Sequence, residues 1–458
     1  MNTAVQSAEV LSFEDASEVV RERCQQVLKA GDRPSEEVLL MQSAGRVLAE
    51  TIRADRDFPP FPRATRDGFA VRADDLASGK MLLRVVGQVR AGDSYDLPVA
   101  SGEAVEIMTG AAVPAGADAV VMVEYTELKR QEVNHKGHEE TQREESENRQ
   151  DIAGDDQILN IAGDAKPSAP EKWTEDLVEI QRIVTTGENI VPAGAEAQVG
   201  QELLPRGVRL GSAQIALAAA AGKASLKVYR KPKVAILSTG DELVEVAEKP
   251  GPSQIRNSNS YSLAALVAEC GGEPVQLPIA PDEESKLTEL IQEGLKADML
   301  LLSGGVSMGK FDLVEQALKT MGAKFFFTGA LIQPGKPVVF GEVGSVPFFG
   351  LPGNPVSVMV TFELFARQMV EALSGAEPGR LKSAKAKLRK EFKTKTGLTR
   401  FLPARLEGGL DDPEIEVVPW QGSGDMLAAA QANCYLVVPP DREKLAKGEM
   451  VTVVMQKS

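Results

Sequence analysis

Ser303-Gly304-Gly305-Val306-Ser307-Met308-Gly309 places three glycines among hydroxyl side chains, directly after the apolar run ADMLLLS at 297–303. Glycines let backbone approach a bound group closely, and serines add donors. A following helix N-terminus favours an anion by about 0.3–1 kcal/mol per charge. Ser303, Gly304, Gly305 and Ser307 therefore suit a phosphate cradle, although a plain strand-to-helix turn would use the same residues. Asp241, Glu242, Asp282 and Asp312 lie in or beside this loop and its counterparts. Carboxylates next to a phosphate repel it unless a cation intervenes. Mg²⁺ resolves the conflict by bridging carboxylate and phosphate oxygens. Asp241 and Asp282 also suit helix caps. Glu242 is a poorer cap and the better metal or catalytic candidate.

Three further loops add to the set. Ser238, Thr239 and Gly240 head the loop Ser238-Thr-Gly-Asp-Glu-Leu243 and count as ligand-binding candidates. Gln333-Pro-Gly-Lys336-Pro337 is a stiff turn that fixes where one cation points. Pro352-Gly353-Asn354-Pro355-Val-Ser357 pre-sets a turn and opens a helix at Pro355, so its backbone donors and Ser357 could hold an oxyanion.

The elements around these loops alternate. Strands are expected at 233–238, 274–280, 297–303, 324–328, 337–342 and 346–350, with helices at 258–270, 283–296, 311–321 and 355–373. Such alternation predicts an α/β fold with a doubly wound, mostly parallel sheet. Ligands sit beyond the carboxyl ends of parallel strands. The loops at 238–243, 281–284, 303–309 and 351–357 all fall at such ends, so topology brings them to one crevice.

The rest of the chain divides around this domain, 230–378. A helix is expected over 13–30, with Ser12 as its N-cap. Residues 8–53 and 182–229 read as a helix-rich domain, 54–181 as a small β-rich domain, and 379–458 as a β-barrel-like domain. Within the second, 128–176 is a polar insertion almost without apolar residues until Ile158. The small domain also carries charged residues around Gly68 (63–75) and the stretch 107–121; nothing in the sequence itself brings them to the crevice.

Composition excludes several classes. With 458 residues and a formal charge of −15, the chain lacks the basic footprint of a duplex nucleic-acid binder. Cys24, Cys270 and Cys434 are far apart and form no CxxC pair, which indicates a reduced compartment and no cysteine-metal site. His135 and His138, the only histidines, lie in the polar insertion with no third ligand nearby, so any bound metal should be hard and oxygen-ligated. No apolar run reaches the roughly 18–20 residues of a membrane span, and the start of the chain lacks a signal pattern. A cytoplasmic protein is expected.

Taken in order, TRDGFAVRADD, EIMTGAAVPAGADAVVMVE, VTTGENIVPAG, VAILSTGDELVE, IRNSNSYSLAALVAECGG, LLSGGVSMGKFD, IQPGKPVVFG, LPGNPVSVMVTFELF and QGSGDML resemble the molybdopterin molybdenumtransferases, a family that includes the C-terminal domain of gephyrin. The likeness spans nearly the whole chain outside 128–180. It implies a homodimer of four-domain subunits and makes 230–378 a molybdopterin-binding domain. The implied reaction turns adenylated molybdopterin and molybdate into molybdenum cofactor and AMP, with Mg²⁺. A molybdopterin adenylyltransferase is an implied partner. By motif, Asp67 and Thr109 reach the site from the partner subunit, Glu242, Asp282 and Asp312 are functional acids, and Asp241 joins them as a metal candidate. Lys336, Pro337 and Ser357, with Ser423 and Arg400, match positions that resemble a molybdate pocket. The chain departs from the family at Gln333, where Lys is common. It departs also at Thr65-Arg66, at Val191, where Arg is usual, and at Leu398 before Arg400. Two other readings are an adenylyltransferase or nucleotide pyrophosphate hydrolase built on the same domain, and a non-enzymatic scaffold.

Overall fold

A computed structural model describes residues 10–31, 33–129, 176–304, 312–409 and 411–456. His135, His138, Gly305, Ser307 and almost all of the polar insertion lie outside them. By internal contacts the chain forms two units, 53–203 and 1–52 with 204–458.

The larger unit is built on a six-stranded sheet. Its order is Glu273–Gln276, Lys233–Ser238, Met299–Ser303, Val346–Leu351, Val339–Val343 and Lys324–Phe327. The first four strands are parallel; Val339–Val343 runs against them and Lys324–Phe327 runs with them again, a mostly parallel sheet of the doubly wound kind. Alternate residues serve opposite faces. Val234, Ile236, Met299 and Leu301 face one core with Leu263 and Val267 of the helix Ser258–Glu269. Ala235, Leu237, Leu300 and Leu302 face another with Leu287, Ile291, Val314 and Leu318 of the helices Glu284–Gly294 and Asp312–Thr320. Burial on both faces explains why these strands read as continuous apolar runs.

The first helix, Phe13–Lys29, starts where Ser12 predicts: the Asp15 N–H donates to Ser12 Oγ at 3.0 Å. Its buried face, Ala16, Val20 and Cys24, follows i, i+4, i+8 spacing and packs into the core that holds Phe365 and Met369. The helix therefore belongs with the α/β sheet. Next to it, Ser35–Leu39 pairs antiparallel with Ser225–Tyr229. Residues 182–229 are not helix-rich. They hold one helix, Ser212–Ala220, among turns and short strands, because Gly and Pro interrupt every other apolar run.

The C-terminal part is a closed five-stranded barrel. Its strands are Thr399–Gly408, Pro413–Val417, Ser383–Leu388, Met450–Met455 and Cys434–Val438, the last pairing back onto the first. The pair Ile332–Gln333 lies parallel to its first strand.

The smaller unit is a six-stranded sheet in the order Ala119–Met122, Gly68–Val71, Glu103–Ile107, Leu82–Val89, Leu177–Ile180 and Thr126–Lys129. Gly68 cannot carry a side chain, since a Cβ there would lie 1.8 Å from Val121 O. The expected polar segment begins two residues later than its composition suggests, because Leu128 and Lys129 still belong to a strand.

Candidate functional site

From Lys233–Ser238 the chain crosses first to one side of that strand and then to the other, so the strand order reverses between it and Met299–Ser303. A crevice opens at such a point beyond the carboxyl ends. Ser238 and Ser303 are register partners at the mouth of this one. The Thr239 N–H donates to Ser303 O at 2.9 Å, and the Gly304 N–H points to Leu351 O at 3.4 Å. Gly304 has φ +90°, and a Cβ there would come within 2.5 Å of Thr239 O, so this backbone approach requires glycine. A Cβ at Gly353 would stand 3.6 Å from Gly304 Cα. The loops at 238–243, 303–304 and 351–357 thus meet as expected.

Two residues that composition did not single out tie the loops together. Asn257 caps the helix Ser258–Glu269 and accepts from the Ser238 hydroxyl at 3.1 Å. The Asn259 amide donates to Ser303 Oγ at 3.0 Å and to Gly353 O at 2.7 Å. Their signal was the Asn-Ser-Asn string before an apolar helical run, which reads as a cap and says nothing of a ligand. Among the described residues, Thr239 Oγ1 and Asn259 Oδ1 are buried polar atoms with no hydrogen-bond partner. Such atoms cost stability unless something pairs with them.

The acids sit at the rim. Asp241 Oδ1 accepts from the Asp282 N–H at 3.0 Å, which joins two loops, and the helix Glu284–Gly294 has no side-chain cap. Neither acid therefore caps that helix. Glu242 is exposed, with its carboxylate folded over Gly240, where a Cβ would meet the acid's oxygens. Asp312 opens the helix Asp312–Thr320; its side chain lies outside the described residues. Among the described residues no three acids, histidines or cysteines converge as a ready-made metal cage. Mg²⁺ commonly takes one or two carboxylates and completes its shell with water and substrate phosphate, and the exposed oxygens of Asp241, Glu242 and Asp282 fit that mode.

A second cluster adjoins the loop at 351–357. The Asn354 side chain donates to Ser423 Oγ at 2.8 Å, and the Val356 N–H to Ser423 O at 3.0 Å. Ser357 is buried in the first turn of Pro355–Thr361. The turn at 333–337 packs against that helix: a Cβ on Gly335 would strike Thr361 Cγ2 and lie 3.7 Å from Ser357 O. It holds Lys336 in solvent and Pro337 half-buried. Gln333 pairs with Arg400, a buried residue whose Nη1 donates to Leu398 O at 3.1 Å. Burial lowers the Arg400 pKa from its ordinary value. One cation in solvent and one buried thus flank hydroxyls and a helix N-terminus, a combination suited to a small oxyanion.

Asp67 and Thr109 belong to the smaller unit. Both the N–H and the hydroxyl of Thr109 donate to Asp67 Oδ1, at 2.6 and 2.7 Å. These bonds, the backbone one first, hold the Asp67 carboxyl below the usual carboxylate range.

Three family descriptions cover most of the chain: the MoeA N-terminal region (domain I and II) over 11–222, a probable molybdopterin binding domain over 235–372, and the MoeA C-terminal region (domain IV) over 385–455. A molybdopterin molybdenumtransferase of Bacillus subtilis is 32% identical over 96% of this chain and 93% of its own. The chain belongs to the molybdopterin molybdenumtransferase family. A Nostoc member is 33% identical over 92% of this chain and 88% of its own. A molybdopterin biosynthesis moeA protein from Pyrococcus horikoshii superposes with TM-score 0.67 at 30% identity, over 98% of this chain and all of the other. For this family the crevice falls inside the molybdopterin-binding segment, and the second cluster spans that segment and the barrel.

Proposed function

We propose that the protein inserts molybdate into adenylated molybdopterin, releasing AMP and leaving molybdenum cofactor. The observation that carries the reading is the meeting of Thr239, Ser303, Gly304 and Gly353 at the strand-order reversal, inside the segment matched by the molybdopterin-binding family. Backbone and hydroxyl donors there hold the phosphate-linked end of the substrate. Lys336, Ser357, Asn354, Ser423 and Arg400 hold the molybdate dianion beside it, so that orientation supplies much of the rate. Asp241, Glu242 and Asp282, with Asp312, would hold Mg²⁺, which when bound supplies charge that stabilises the leaving AMP phosphate.

Asp67 and Thr109 complete the site from a second copy of the chain in this reading. The helix Ser212–Ala220 supports a dimer: past Gln214 it is wholly apolar, yet Ala216, Ala219 and Ala220, with Ala213 before them, are exposed. Leu39, at the end of the adjoining strand, and Met41, in the turn of 3-10 helix after it, are exposed, and between them the Leu40 N–H donates to Ala224 O. The reaction takes place in the cytoplasm and receives its substrate from an adenylyltransferase. No helix among the described residues is long and apolar enough to cross a membrane.

The test is AMP release from adenylated molybdopterin. Release that requires both molybdate and Mg²⁺ is expected. ATP consumption with unadenylated molybdopterin, and no AMP release from the adenylated form, would overturn the reading in favour of an adenylyltransferase.

A further inference from the structure

Ser238 and Ser303 are equivalent residues on neighbouring parallel strands, paired in register at the crevice. Their hydroxyls are used in opposite senses. The Ser238 O–H donates to Asn257 Oδ1, which the Ser260 N–H also engages. Its one proton is committed to the helix cap. Ser303 instead accepts at Oγ, from Asn259 Nδ2. The orientation of the Asn259 amide follows from its second contact: Gly353 O is purely an acceptor, so the atom 2.7 Å from it must be the nitrogen. Both Asn259 N–H groups are thereby spent, on Ser303 and on Gly353. An accepted hydrogen bond on Ser303 Oγ leaves its single proton to be donated elsewhere, and no described group takes it. The side chain is 1% exposed, so that proton does not simply face bulk water.

We infer that Asn259 is a positioning residue that turns the Ser303 hydroxyl into a committed donor for an anionic oxygen of the bound pterin phosphate. The inference rests on the proposed function for the identity of the ligand. The chemistry itself is general. A hydroxyl that accepts one hydrogen bond donates the next more strongly, and an anion has only acceptors to offer. Ser238, tied to Asn257, cannot play this part, which separates two serines that are equal in sequence context. The buried Asn259 Oδ1 lacks a described partner; as an acceptor it suits an N–H or O–H and not phosphate.

The test is a double-mutant cycle on the affinity for molybdopterin, measured by calorimetry in the full-length protein, with circular dichroism and thermal midpoint as fold controls. Asn259→Ala and Ser303→Ala should each weaken binding about tenfold or more, as expected for a hydrogen bond to a charged group. The double variant should bind within about twofold of Ser303→Ala, because Asn259 acts through Ser303. The near-isosteric Asn259→Asp should lose more than Asn259→Ala, since a carboxylate takes the Ser303 proton and repels the anion. Ser238→Ala should bind closer to wild type than Ser303→Ala. Independent, additive losses in the cycle would overturn the inference, as would wild-type affinity in Asn259→Asp. A wild-type protein that binds no molybdopterin would instead overturn the molybdenumtransferase reading, and this inference with it.

Discussion

Asp67 shows how little of a side chain's chemistry its type alone determines. It is exposed, yet the two Thr109 donors favour its ionised form. Replacing Thr109 with Ala removes the hydroxyl but keeps the N–H, which is the larger cause. The Asp67 pKa should therefore rise only part of the way toward the ordinary aspartate value; carboxyl-selective NMR titration would read it, and an unchanged or lower value would contradict the assignment. The sign for stability follows. A depressed folded pKa contributes stability above the unfolded value, and that contribution fades as pH falls through the folded one. Sequence composition identified the loops and the acids, because Gly, Ser and Asp at strand ends have local meaning. It missed Asn259, whose role depends on reaching both Ser303 and Gly353, residues distant in the chain. It also could not separate Ser238 from Ser303, which differ only in the partner each meets.

At the scale of elements, the periodicities of 2 and 3.6 made most of the α/β sheet legible. Strand ends moved by a few residues, and 274–280 shortened to Glu273–Gln276 where Pro278 interrupts the ladder. The partner of the first helix was not legible, since an apolar stripe states that it must be covered and not by what. The covering is aromatic: Phe13 sits 6.1 Å from Phe365 and 5.0 Å from Phe401, centroid to centroid. Phe365 is fully buried and also touches Phe327. Phe365→Ala should cost about 3–5 kcal/mol in denaturant unfolding of the larger unit. A loss below about 1 kcal/mol would mean that the first helix, the sheet and the barrel do not share this core. The helix-rich reading of 182–229 failed for a related reason: IALAAAAGKA has strong helix propensity, but the preceding Gly- and Pro-rich segment pairs as short strands with residues far away, among them Ile190–Val191 with Arg63–Ala64.

On the scale of the molecule, the strands that flank the polar insertion are paired. Thr126–Lys129 and Leu177–Ile180 are antiparallel neighbours, and Lys129 stands directly opposite Leu177. The strand residues on either side are therefore adjacent, and a two-residue Asn-Gly turn in place of 130–176 can join Lys129 to Leu177. That replacement should leave turnover within about twofold and the thermal midpoint within a few degrees. Loss of turnover would assign the insertion a part in the site.

In the proposed reaction the crevice of the larger unit acts on the phosphate end of an adenylated pterin. The most direct measurement is AMP release, with molybdate and Mg²⁺ present, by wild-type protein and by Glu242→Ala, alongside the affinity of each for molybdopterin. Wild-type release, with loss of about a hundredfold or more in the variant while the pterin still binds, is the predicted result. Equal release by the two proteins would contradict it and place the chemistry away from these loops.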